Sequence, residues 1–150
     1  MRNFYFILLL ACAALAPLYS AGATANNNSN YQQVNLTSFP ALTPTSLASL
    51  DTDKPLYVKM WASWCQPCME QMPHFQALYQ QYGDKVNFVA VNIDINETNE
   101  EIAAVISRFK LSMPVWLDVE GKLAVALGLV GTPYSVLINS NGAQVYSSHE

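Results

Sequence analysis

Val58-Lys59-Met60-Trp61-Ala62-Ser63-Trp64-Cys65-Gln66-Pro67-Cys68 joins the signature of a buried strand to two cysteines spaced for a single disulfide. The apolar run Leu56 to Trp61 predicts the strand, small residues end it, and a helical pattern opens at the cysteine pair. Cys65 is therefore expected where a strand hands over to a helix N-terminus. Unpaired N–H groups and the positive end of the helix dipole stabilise a thiolate there. A C-x-x-C at a helix start lowers a cysteine pKa below its free value, and the thiolate is the form that attacks disulfides. Pro67 suits the first helical turn, where its missing N–H costs nothing.

Downstream, Met69, Met72, Phe75, Leu78, Tyr79 and Tyr82 recur at three and four, which predicts a core-facing helix over Gln66 to Tyr82 with Pro73 inside it. Gly83-Asp84 closes that helix, and Val86 to Ile93, ending in Asp94, reads as a second buried strand. Two such strands joined by a helix form a βαβ unit with a right-handed crossover. Glu97 to Phe109 predicts a second helix, with Ile102, Val105, Ile106 and Phe109 in phase. Met113 to Leu117 is a short extended piece and Lys122 to Leu127 a helical turn. Tyr134 to Ile138 and Ala143 to Ser148, joined by Asn139-Ser140-Asn141-Gly142, predict an antiparallel hairpin. Upstream, Val34 to Leu42 reads as an extended arm and Thr45 to Leu50 as a short helix or turn, before the turn Asp51 to Pro55. The expected fold is α/β, a mixed central sheet with helices on both faces. No helix follows the last strand, where a terminal helix would cover the sheet.

The chain has 150 residues, of which 51% are hydrophobic and 12% charged, with a formal net charge of -4. That supports one domain with a real core. No Lys/Arg cluster is present to follow a phosphate backbone, so nucleic acid is not the expected partner. Met1-Arg2-Asn3 and the apolar stretch Phe4 to Ala16 read as the n- and h-regions of a signal peptide over residues 1–25, with small-residue cleavage sites at Ala21-Gly22-Ala23 and Ala23-Thr24-Ala25. The alternative is an uncleaved N-terminal anchor, although the stretch is shorter than the roughly 20 residues a spanning helix wants. Leu9-Leu10-Ala11-Cys12 faintly resembles a lipoprotein cleavage box, which would make Cys12 a lipid anchor, but apolar residues continue past it to Leu18. Residues 26–33 read as a polar linker and 34–150 as the folded domain.

With Cys12 removed in the leader, Cys65 and Cys68 are the remaining thiols and make one couple. A purely structural bridge between residues three apart closes so small a loop that it constrains little of the unfolded chain. A metal site would need a second ligand pair, which the sequence lacks. An exported C-x-x-C after a strand therefore reads as catalytic.

Trp61-Ala62-Ser63-Trp64-Cys65-Gln66-Pro67-Cys68, then Pro73, then Gly131-Thr132-Pro133 before the hairpin, resembles a thioredoxin-fold protein, and among these the exported TlpA-like thiol-disulfide oxidoreductases. The resemblance runs from about Val34 to the end. It implies that Cys65 attacks and Cys68 resolves, that Pro133 is a cis-proline facing the disulfide, and that Thr132 offers backbone groups to an extended substrate peptide. Trp64, beside the redox pair, is expected as a contact surface, Trp61 as core, and Gln66-Pro67 as the pair that tunes the couple. Two departures stand out. Relatives that reduce apocytochromes have a Glu three residues after the second cysteine and often an acid after the cis-proline, where this chain has Gln71 and Tyr134. Six residues before the first cysteine, where thioredoxin has a buried acid, stands Lys59. A buried ammonium there would favour the Cys65 thiolate, or desolvation would leave it a neutral base. The alternative is a lysine whose stem packs while its head reaches water. His74 and the Met69/Met72 pair read as surface and core respectively.

These features lead to the expectation of an exported, periplasmic thiol-disulfide oxidoreductase without metal or other cofactor. It would reduce disulfides in exported proteins with electrons from a membrane donor, with no stable membrane span after signal cleavage. Gln66-Pro67 places no His between the cysteines to stabilise the reduced thiolate, which favours a reductase over an oxidase or isomerase of the same fold. A non-enzymatic binding module is the third reading, and the presence of both cysteines speaks against it.

Overall fold

A computed structural model describes residues 29–93 and 96–149. The signal peptide, its cleavage sites, Cys12, the first part of the linker and Asp94 lie outside the described residues.

The strands are β1 (Leu36–Phe39), β2 (Pro44–Thr45), β3 (Leu56–Trp61), β4 (Asn87–Asn92), β5 (Val115–Leu117), β6 (Tyr134–Ile138) and β7 (Gln144–Ser148); the helices are α1 (Gln66–Tyr82), α2 (Asn99–Phe109) and α3 (Lys122–Ala126). All seven strands form one mixed sheet in the order β2-β1-β5-β4-β3-β6-β7. The β3-α1-β4 unit has the expected parallel pairing, Leu56 opposite Asn87 through Trp61 opposite Asn92. β3 also pairs antiparallel with β6, Met60 opposite Tyr134, so the redox strand lies inside the sheet.

Side chains of β3 alternate between two cores, as a period of two requires. Trp61, with Tyr57 packed alongside, joins Cys68, Met69, Met72 and Phe75 of α1 and Ile102 and Val105 of α2 on one face. Val58 and Met60 join Val89, Val91, Leu123 and Val136 on the other, beneath α3 and the N-terminal 3-10 turns. Full burial of one such side chain contributes about 1.5–3 kcal/mol. Tyr57, Phe75 and Phe88 meet with ring centroids 5.3 to 5.6 Å apart, pinning α1 to the sheet. Pro73 lies inside α1, which runs as one helix to Tyr82.

Two boundaries differ from expectation. The domain does not begin at residue 34: Ser29–Gln33 forms a 3-10 helix whose Tyr31 is buried, its hydroxyl donating to the Gly142 carbonyl at 2.8 Å. One aromatic ring in a polar run is enough to anchor it under the hairpin. The second helix starts at Asn99, not Glu97, because Thr98 caps it in a reciprocal capping box with Glu101. Glu97 is thereby left outside the helix.

Candidate active site

The site lies at the end of β3, where the chain turns through Ala62, Ser63 and Trp64 into α1. Cys65 is the N-cap of α1, and its Sγ accepts the Cys68 N–H at 3.3 Å. Cys65 and Cys68 form a disulfide with Cα atoms 5.2 Å apart. Cys65 retains 3% exposure while Cys68 has none. Trp64 is 66% exposed beside them, and Gln66 and Pro67 are also exposed; Trp61 is fully buried.

The Thr132-Pro133 peptide is cis. Its loop leads straight into β6, and because Tyr134 pairs with Met60, the ladder brings Thr132 and Pro133 to the end of the sheet that carries Cys65. Pro133 is buried, and the buried Thr132 Oγ1 has no hydrogen-bond partner among the described residues.

Lys59 does not reach water. It is 3% exposed beneath α1, where its Nζ donates to Gln71 Oε1 and, at 3.3 Å, to Ser135 Oγ. The reason is register. Lys59 points to the same face as Trp61, Ser135 is its partner on β6, and Gln71 lies one turn beyond Cys68 on α1. Both partners are neutral, and burial pushes the ammonium down from 10.5 to about 8. His74 is exposed at the rim of the shallow cleft above. Met69 and Met72 are core.

A further group escaped the sequence. The Glu97 carboxylate accepts the backbone N–H of Ser63 and, at 2.6 Å, the side-chain amide of buried Asn92. Helical phase alone assigns Glu97 to the second helix, whereas the Thr98-x-x-Glu101 box is the signal that frees it.

A dithiol/disulfide pair at a helix N-terminus, beside an exposed Trp and a cis-proline loop, defines the thioredoxin-like class of redox site. The Redoxin family model matches residues 23–150, and the chain belongs to the Redoxin family. Sporulation thiol-disulfide oxidoreductase A of Bacillus subtilis is 36% identical over 84 residues, which are 55% of this chain and 51% of that protein. Thiol-disulfide oxidoreductase ResA of Bacillus thuringiensis is 31% identical over 90 residues, 59% of this chain and 51% of that protein. The chain spans about half the length of the curated relatives it matches. The crystal structure of StoA from Bacillus subtilis superposes with a TM-score of 0.63 at 26% identity, over 77% of this chain and 85% of that one. A secreted Mycobacterium tuberculosis disulfide oxidoreductase shares the fold with a TM-score of 0.71 at 19% identity, over 81% of this chain and 86% of that one. The resemblance to TlpA-like thiol-disulfide oxidoreductases and the thioredoxin-like fold are thus borne out.

Proposed function

We propose that this chain is a thiol-disulfide oxidoreductase that reduces disulfides of proteins outside the cytoplasm, drawing electrons from a membrane donor. The observation that carries this reading is the Cys65–Cys68 couple at the N-terminus of α1, with Cys65 Sγ as the helix cap. In the reduced protein the same N–H groups face a Cys65 thiolate and lower its pKa from the free value of about 8.5. That thiolate attacks a substrate disulfide, forming a Cys65-substrate bond and expelling the substrate's other sulfur as a thiolate. Cys68, as its thiolate, then attacks Cys65 Sγ, restoring the internal disulfide and releasing the second substrate sulfur. Two electrons pass from the chain to the substrate, and protons from solvent complete the substrate thiols. A thiol donor reverses the sequence to recharge the couple.

The exposed Trp64 and the Thr132-Pro133 loop form the surface against which a substrate peptide docks, with Thr132 offering backbone groups and an unpartnered hydroxyl. Gln66 and Pro67 tune the couple by bringing no charge between the cysteines. Lys59, buried below, is a second tuning group: its charged form favours the thiolate. The export signal over residues 1–25, with periplasmic or N-terminally anchored placement, remains part of this proposal. Relatives named as thiol-disulfide oxidoreductases support the reaction class.

Two measurements test it. Insulin reduction with dithiothreitol as donor should be accelerated by the wild-type chain and not by Cys65→Ser. An inert wild-type protein sinks the enzyme reading and leaves a binding module. The reduction potential, equilibrated against glutathione, should fall nearer thioredoxin at about −270 mV than the oxidant DsbA at about −120 mV. A value near the latter makes the chain an oxidase.

A further inference from the structure

The turn that presents Cys65 is held by more than its own chain. The Cys65 N–H donates to the Ala62 carbonyl at 3.1 Å, and the Ile93 N–H to the Trp61 carbonyl at 3.0 Å, which closes the end of the β3/β4 ladder. The Ser63 N–H, between these, points to neither strand. It is taken by Glu97, from a segment 34 residues later, whose second oxygen is fixed by Asn92 at the last position of β4. Glu97 is half-buried, so the charge it brings is only partly screened by water.

We infer that Glu97 is a positioning residue for the redox couple: it holds the Ser63 N–H and keeps a negative charge beside the turn, disfavouring the Cys65 thiolate and biasing the couple toward the reducing side. Ser63 and Cys65 are two residues apart, which puts the carboxylate on the order of 8 to 10 Å from Cys65 Sγ. A like charge at that range opposes ionisation of the thiol. The thiolate belongs to the reduced form, so opposing it shifts the equilibrium toward the disulfide and makes the dithiol a better donor.

Among the described residues, the charged groups on the neighbouring elements are engaged elsewhere, exposed, or set under α1. On α2, Glu101 is engaged by Thr98 N–H and Oγ1, and Glu100 is exposed. On α1, Glu70 is exposed and accepts from Gln66 Nε2. On β3, Lys59 acts in the opposite sense to Glu97, from beneath the helix and against neutral partners. Among the described residues, two opposed charges thus bracket the couple, one under α1 and one against the turn.

The inference rests on the redox reading of Cys65 and Cys68, but its test does not require a substrate. Glu97→Gln keeps the side-chain length and an oxygen for the Ser63 N–H while removing the charge; Glu97→Ala removes both. In a Cys68→Ala background, the midpoint of Cys65 alkylation against pH should fall by about half to one pH unit in Glu97→Gln. With both cysteines present, equilibration with glutathione at about pH 8 should shift roughly three- to tenfold toward the reduced form, about 30 mV for the tenfold case. On heating, Glu97→Gln should unfold later than Glu97→Ala, because it keeps an acceptor for the Ser63 N–H and gives up only the one for Asn92. An unchanged midpoint and potential in Glu97→Gln overturn the inference, even if Glu97→Ala loses stability, because the carboxylate is then only a brace. An upward midpoint overturns it as well. Failure of wild-type insulin reduction would strike the proposed activity and leave these thiol measurements readable.

Discussion

Lys59→Met tests how strongly the ammonium beneath α1 is desolvated. Burial lowers this group from 10.5 to about 8. Between those two values the unfolded chain carries a proton on this side chain that the folded chain has released, so stability rises with pH across that window. Below about 8 both states are charged and the folded protein bears the whole desolvation cost; above 10.5 both are neutral and the cost is gone. At 1.36 kcal/mol per pH unit the gap is worth roughly 3 kcal/mol. Methionine occupies similar space without charge, but it leaves Gln71 Oε1 and Ser135 Oγ without their donor. Those losses cost about 1–2 kcal/mol together. The variant should therefore be more stable than wild type by roughly 1–2 kcal/mol near pH 7, and the advantage should vanish or reverse as pH rises past about 10. Urea unfolding of the oxidised proteins, followed by tryptophan fluorescence at a series of pH values, gives the difference curve. A difference that stays flat from about pH 7 to 10 refutes the desolvation argument. A Met variant already less stable at neutral pH means the two hydrogen bonds outweigh the burial of charge.

The same substitution should raise the Cys65 alkylation midpoint and lower the reduction potential, because the thiolate loses a nearby cation; unchanged values on both would confine Lys59 to a structural role. Cys68→Ser should accumulate mixed disulfides with partner proteins, visible as heavier bands on a non-reducing gel that dithiothreitol removes, while Cys65→Ser should give few or none. The reverse pattern would exchange the roles of attacking and resolving cysteine. Tyr31→Phe should destabilise the fold by about 1 kcal/mol in chemical denaturation through loss of its bond to the Gly142 carbonyl. No loss would mean that water replaces that bond.

The redox segment was legible because local signals agree there. β3 and α1 have the bounds that the apolar run and the helical spacing of Met69, Met72 and Phe75 predict. Cys65, Cys68 and Pro133 were legible as types at set places along the chain. What stayed hidden depends on register. Whether the Lys59 head is buried is decided by Ser135 on β6 and Gln71 on α1, and neither neighbour can be read from the residues flanking Lys59. Glu97 lies 34 residues from Ser63 and meets it only because β3 and β4 are parallel and end together. Tyr31 was obscured by its polar neighbours, since composition averages over the one ring that the core takes up.

The pairing of Met60 with Tyr134 has an architectural consequence. The turn that bears Cys65 and the Thr132-Pro133 loop leave from the ends of adjacent strands, and those strands are held one spacing apart, about 4.8 Å, by backbone amides along the ladder. The long stretch of chain between them, with three helices and two strands, does not enter that dimension. Insertions in its outer turns can lengthen the route from one to the other without changing the gap a substrate meets. The sheet acts as a fixed ruler, and the intervening chain is free to vary in length.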